Sequence, residues 1–265
     1  MNMVTKVLGA ASLAAAGNAG AAMKEVSVDY RVGDTAMRGY AIYDDAVKTA
    51  LPLVLLVPNW LGPTPDNRAQ AAQIAGSRYV VFVADMFGRD TEPTGPEDAK
   101  AKIAPMYADR KLLRARVDAA RAQLLRLAHD QAVPGDSARI AAIGFCFGGS
   151  SVLELARSGA SLAGVVSLHG GLWIDSPAPA PDAIHAPILV LHGDADPSVP
   201  PEKVQKFEDE MRAAKADWQL VKFGGVAHAF TDPKANKPGQ ALYDPKAAAR
   251  AFEMTHAFLA EVFSR

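Results

Sequence analysis

The sequence predicts a three-layer α/β protein, with a mostly parallel central sheet, helices on both faces and an antiparallel hairpin at the N-terminal side. Three observations carry this prediction. The runs Pro52–Val57 and Tyr79–Ala84 are apolar without alternation, as strands covered on both faces require, because each side chain then meets protein rather than water. Helical segments and such runs take turns along the chain with short connections, the spacing of right-handed crossovers. Ahead of them, Glu25–Val32 and Ala36–Tyr43 alternate more and are separated by Gly33-Asp34, which reads as a hairpin.

The remaining elements follow from the same patterns. Arg68–Gly76 is short, alanine-rich and helical. Leu113, Val117, Ala120, Leu124 and Leu127 recur at intervals of three and four, marking one amphipathic helix from about Lys111 to His129 that ends before Pro134-Gly135. Strands are expected at Ile140–Phe145, Leu162–Leu168 and Ile188–His192, and helices at Glu202–Ala214 and Lys246–Phe263 flank a last strand at Trp218–Phe223. Ser176–Pro181, with proline at every second position from Pro177, reads as a stiff surface loop after a strand, placed to roof a pocket.

With 265 residues, 49% of them hydrophobic and 22% charged, the chain can bury a large core, and no linker-like stretch divides it, so one domain over residues 24–265 is expected. A formal net charge of −1 gives no electrostatic reason to expect nucleic acid or an anionic membrane, which leaves a small molecule as the partner of a monomer or small homo-oligomer. Cys146 is the only cysteine, so there is no intrachain disulfide, and no Cys/His spacing suits a structural zinc. Residues 1–22 stand apart in composition: Lys6 precedes an alanine-rich stretch, and Ala19-Gly20-Ala21 offers a small-residue cleavage pattern. The segment reads equally as a secretory signal and as an extension upstream of a start at Met23. Gly9, Gly17, Asn18 and Gly20 break it too often for a membrane span. A single thiol without disulfides tilts the expectation toward a reducing, cytoplasmic compartment over a periplasmic or secreted one.

The chemistry concentrates in Gly144-Phe145-Cys146-Phe147-Gly148-Gly149, at an expected strand-to-helix turn. A nucleophile held on such an elbow takes strained backbone, and the residues two before and two after it are crowded, so both are best glycine. The N-terminal N–H groups of the next helix favour a thiolate and later an oxyanion. Taken alone, the motif fits a small buried cysteine beside two glycines equally well.

A thiol nucleophile is usually paired with a base, and the base with an orienting carboxylate; in α/β-hydrolase folds they follow in the order nucleophile, acid, histidine. His192-Gly193-Asp194-Ala195-Asp196 supplies the acid after a strand, with Asp196 deeper in the turn and Asp194 the better turn-former. Gly224-Gly225-Val226-Ala227-His228 supplies the histidine after the last strand. The other histidines have plainer readings. His129 ends a helix, His256 shares an apolar stripe with Phe252, Leu259 and Phe263, His185 sits near the proline-rich loop, and His169 and His192 end strands and line the site without proton transfer. The backbone N–H groups of Phe147 and Trp60 are the candidate oxyanion donors. Trp60, Phe87, Phe147 and Trp173 are candidate walls of an apolar pocket.

With these residues in view, the sequence resembles the dienelactone hydrolase family, cysteine hydrolases of the α/β-hydrolase fold. The likeness runs from about Lys24 to the C-terminus and rests on the elbow, on Val165-Val166-Ser167-Leu168-His169-Gly170-Gly171, on His192–Asp196 and on His228-Ala229-Phe230-Thr231. It implies hydrolysis of an ester or lactone by a Cys146, Asp196, His228 triad through a thioester, without metal or organic cofactor, and contact of the substrate with Arg89, Asn59 and Trp60. Two departures stand out. The founding enzymes carry a glutamate where this chain has Asn59, and asparagine cannot accept a proton at neutral pH. They also hold a substrate carboxylate with two arginines; Arg89 matches the first, or is a surface arginine pairing with Asp90, while Asp232 occupies the place of the second and would repel an anion. The rival expectation is a non-catalytic small-molecule binding protein of the same fold, in which Asn59 marks lost chemistry.

Overall fold

The computed structural model describes residues 23–172 and 183–265. Residues 1–22, Trp173 and the Ser176–Pro181 loop lie outside the described residues.

Strands β1 (Met23–Val32) and β2 (Thr35–Asp44) pair antiparallel from Met23 opposite Asp44 to Val32 opposite Thr35. Gly33 turns the hairpin at φ 55°, a left-handed conformation that suits a residue without Cβ. Strands β3 (Leu51–Val57), β4 (Val80–Val83), β5 (Gly135–Phe145), β6 (Val165–Leu168), β7 (Ile188–Gly193) and β8 (Trp218–Phe223) complete an eight-stranded sheet in the order β1-β2-β4-β3-β5-β6-β7-β8. β2 is antiparallel to both of its neighbours and every other pairing is parallel, so β2 alone runs against the rest.

Alternate residues of the central strands feed two cores. Leu53, Leu55, Val57, Phe82, Ala142 and Val190 face one side. There they meet α2 (Pro96–Ala108), α3 (Arg110–His129), α4 (Phe147–Arg157) and α5 (Pro201–Ala213), through residues such as Met106, Val117, Val152 and Phe207. Val54, Leu56, Val81, Ile143 and Leu191 face the other side, covered by α1 (Pro65–Ala75) and α6 (Pro245–Val262) through Ile74, Ala251 and Leu259. Helices on both faces of a largely parallel sheet are the expected three-layer architecture. A short second sheet of β9 (Asn236–Lys237) and β10 (Ala241–Leu242) lies beyond β8.

The structure departs from the sequence reading in several places; β6, for one, begins at Val165 rather than Leu162. α2 was not expected, because only Ala99 and Met106 of its residues are buried and Pro105 lies inside it, so no apolar stripe announces it. β5 begins at Gly135 rather than Ile140; its polar first half pairs with β3 across an irregularity at Pro52/Leu53. On α3, Gln123 and Ala128 are buried while Leu127 is only half-buried.

Candidate active site

The parallel strands end together, and the loops at their C-terminal edge bring the site residues together. β5 runs into Cys146, and α4 starts at the next residue. Cys146 takes φ 55° and ψ −116°, a conformation that costs a non-glycine residue about 1–3 kcal/mol. The two flanking glycines make this turn possible. A Cβ on Gly144 would stand 2.0 Å from the carbonyl oxygen of Gly148, and one on Gly148 would stand 1.9 Å from the carbonyl oxygen of Val57. The same crowding sets the first turn of α4 against Val57 and Pro58, and so beside the loop that carries Asn59 and Trp60.

The thiol meets an imidazole, and the imidazole a carboxylate. Cys146 Sγ lies 3.1 Å from His228 Nε2, and His228 Nδ1 lies 2.6 Å from Asp196 Oδ2. Asp196 is buried and its other oxygen accepts from the Ser198 N–H at 2.8 Å, whereas Asp194 is exposed. The loop of His228 is tied down by main-chain bonds, from its N–H to Gln240 and to its carbonyl from Leu242. Burial by itself would lower the pKa of His228, but the hydrogen bonds to Asp196 and to the thiol, with the charges of both, raise it to about 10. Burial likewise opposes ionisation of Asp196, and the hydrogen bond and charge of His228 with the Ser198 donors bring its pKa below the ordinary value.

The loop after β3 is shaped by two asparagines. Asn59 Oδ1 accepts from the Leu61 N–H and from Asn67 Nδ2, both at 3.0 Å, and Asn67 also donates to the Gly62 carbonyl at 2.7 Å. Trp60, between them, is half-buried and packs on the same core as Cys146. Phe147 is buried with Phe87 stacked on it, ring centres 6.2 Å apart. Arg89 is not gathered with these groups: it is exposed and paired with Asp29 at 2.9 Å and Asp90 at 3.4 Å, so its guanidinium is engaged at the hairpin. Asp232 accepts from the Lys234 N–H, and Lys234 pairs with Asp66.

Two groups near the thiol were not given their place by the sequence. Tyr107, on the unexpected α2, sets its ring edge-on to Phe147, centres 5.7 Å apart at 85°. Although the residue is 39% exposed, desolvation at its hydroxyl and the neighbouring Cys146 push the phenol up to about 12, against the opposing pull of a hydrogen bond with Ser150. No periodicity pointed to it. His169 does line the site as expected, but it also accepts a hydrogen bond from the Cys146 N–H at 3.1 Å and contacts Thr231 Oγ1 at 2.8 Å. Its position at a strand end, before Gly170-Gly171, was the only available signal. Among the described residues, no three His, Cys, Asp or Glu side chains are grouped to hold a metal ion, and no helix is long and apolar enough to cross a membrane.

The fold and sequence have near counterparts among known proteins. A solved structure called m3DLH is 36% identical, with a TM-score of 0.83, over 91% of this chain and 99% of its own. A dienelactone hydrolase-like promiscuous phosphotriesterase from metagenomic libraries is 35% identical, also with a TM-score of 0.83, over the same shares of the two chains. A Bradyrhizobium protein named as a probable 2-oxo-3-(5-oxofuran-2-ylidene)propanoate lactonase is 29% identical over 218 residues, 79% of this chain and 83% of that protein. The sequence model of the Dienelactone hydrolase family matches residues 37–263, nearly the whole described fold, and the chain therefore belongs to that family of ester and lactone hydrolases.

Proposed function

We propose that the chain hydrolyses a small, uncharged ester or lactone through a Cys146, His228, Asp196 triad and a thioester acyl-enzyme. The observation that carries the reading is the unbroken contact line from Cys146 Sγ to His228 Nε2 to Asp196 Oδ2, starting at a cysteine with left-handed backbone. His228 has taken the thiol proton and keeps it as an imidazolium, and the thiolate attacks the carbonyl carbon as the C=O π pair moves onto oxygen. The backbone N–H groups of Trp60 and Phe147 hold the oxyanion. Collapse breaks the C–O bond to the leaving oxygen, which receives the proton from His228, and leaves an acyl group on sulfur. Water then gives a proton to His228 as its oxygen attacks the thioester; the second collapse releases the acid and returns the thiolate to the imidazolium.

The substrate's charge follows from the surrounding groups. Arg89 is already answered by Asp29 and Asp90, and Asp232 adds negative charge close to the histidine loop, so nothing here favours a carboxylate-bearing acyl group. Asn59 brings no carboxylate to compete for the thiol, and its oxygen is occupied by Leu61 and Asn67.

The test is turnover of a panel of neutral lactones, nitrophenyl esters and dienelactone by the purified protein and by Cys146→Ala. Turnover of neutral members, stopped by prior alkylation of the single thiol and reduced at least about a thousandfold in the variant, is the expected result. A folded Cys146→Ala protein with an undiminished rate overturns the nucleophile.

A further inference from the structure

His169 is a buried titratable group that this reaction does not use. It follows β6 directly at φ 40°, is 2% exposed, and its own N–H donates to the Leu191 carbonyl at 2.8 Å, which fixes it to the end of β7. Its ring nitrogens meet two different parts of the site. Nδ1 lies 3.1 Å from the Cys146 backbone nitrogen, which also donates to the Leu168 carbonyl at 3.0 Å. A peptide nitrogen can only donate, so Nδ1 carries the lone pair. The proton of the neutral ring therefore sits on Nε2, 2.8 Å from Thr231 Oγ1, which accepts it. An imidazolium at this place would set an N–H against the N–H of Cys146.

The surroundings keep the ring neutral. Burial first, and then the charge of His228, hold its pKa well below the ordinary value, and the opposing charge of Asp196 does not reverse this. The other side chains facing it are uncharged: Phe145, Phe230 at a ring-centre distance of 5.2 Å, and Thr231. The ring of His228 stands edge-on to it, centres 5.3 Å apart.

The two hydrogen bonds thus join the elbow of the nucleophile to the loop of the base, since Thr231 lies three residues beyond His228. We propose that His169 is a positioning residue for the hydrolysis, a neutral Nε2–H imidazole that braces the His228 loop against the Cys146 elbow and holds the thiol–imidazole contact while those two groups exchange a proton. The proposal rests on the triad reading above. A brace beside an imidazole that gains and loses charge in every cycle has to be polar enough to bind both loops and unable to take the proton itself. His169 meets both conditions.

Thr231→Val keeps the shape of the side chain and removes the acceptor, and Thr231→Ser keeps the acceptor. Each is compared with wild type and Cys146→Ala for kcat and KM on the best neutral ester, for the pH profile of iodoacetamide alkylation, and for thermal unfolding. That profile belongs to the coupled pair of Cys146 and His228, with Asp196, His169 and Tyr107 facing it, and not to either group alone. Thr231→Val is expected to lower kcat about 10-fold or more with KM little changed and to displace the alkylation midpoint, as loss of a hydrogen bond behind a functional ligand typically does, while Thr231→Ser restores both. The brace is overturned if folded Thr231→Val matches wild type in kcat and midpoint, or if it loses only stability and Thr231→Ser does not restore it. If Cys146→Ala retains turnover, the triad reading fails and the brace with it; if only Thr231→Val is unaffected, the triad stands and the brace alone is lost.

Discussion

Helix α4 has buried ionisable groups near both ends, and on the triad reading proposed above only one end serves the chemistry. At its C-terminal end, Glu154 is fully buried and meets Arg157 at 3.0 Å, Arg114 at 2.9 Å and Arg110 at 3.7 Å. Arg157, itself buried, reaches on to Glu210 at 2.6 Å and to the Leu172 carbonyl at 2.8 Å. Burial would lower the pKa of Arg157, but its two glutamates raise it. Every member of this network meets opposite charge, which ties α4 to α3 and α5. At the N-terminal end the backbone of Cys146 is left-handed, and the proton between Cys146 and His228 has two places to go. Buried ionisable groups are common to both ends; strain combined with a movable proton is confined to one.

The sharpest way to break this comparison is to remove the carboxylate that supports the movable proton. Asp196→Asn is expected to lower kcat/KM by up to roughly ten-thousand-fold, because the amide no longer selects the Nδ1–H form of His228 nor stabilises its cation. The pH–rate profile should change with it. In the wild type His228 keeps its proton until about pH 10, so the basic limb is expected near there, and loss of Asp196 moves it down. Stability follows the same sign. The folded value of about 10 lies above the ordinary 6.5, so the contribution of His228 is complete below about 6.5 and is lost as the pH rises through about 10. Asp196, lowered from 3.8, contributes above that value and loses its contribution as the pH falls through the folded one. Urea titrations between pH 6.5 and 10 should show wild type losing more stability than Asp196→Asn, and parallel curves would refute the shift.

Glu154→Ala tests the other end. Removing the acid leaves the buried Arg157 with Glu210 alone and takes from Arg114 the carboxylate it meets, and breaking a buried pair in this way costs up to about 3–5 kcal/mol. Denaturant midpoints should drop accordingly, while kcat per folded molecule stays within about twofold of wild type. A collapse of kcat at full stability would mean that the two ends are not separate in function.

The contrast was only half legible in the sequence. Gly144, Cys146 and Gly148 announced the reactive end because their crowding is a local property of a strand-to-helix turn, and the chain order of Cys146, Asp196 and His228 after strands suggested which groups converge there. The sheet was equally open to reading, since Leu53–Val57 and Val80–Val83 are apolar on both faces. What stayed hidden depends on contacts between distant segments. Arg89 pairs with Asp29 at a separation of 60 residues, which no local pattern shows. The tautomer of His169 follows only from what stands at its two nitrogens. α2 was missed because just two of its residues are buried, and Tyr107 was missed with it.

Tyr107 offers the finest test of the reactive end. Its ring lies edge-on to Phe147, and its phenol, raised to about 12, stays protonated throughout the working range, hydrogen-bonded with Ser150 and within reach of the charge of Cys146. Tyr107→Phe keeps the ring contact and removes only the hydroxyl. The loss of one hydrogen-bonding group is worth about 0.5–1.5 kcal/mol, so kcat/KM on a neutral ester should fall roughly 2- to 10-fold, with thermal stability nearly unchanged. If the rate is untouched, the hydroxyl has no part in the chemistry and the reactive end narrows to the elbow and its histidines. If instead stability falls while the rate per folded molecule holds, Tyr107 belongs with Glu154 among the groups that merely fasten α4, and the boundary between the two ends shifts toward the thiol.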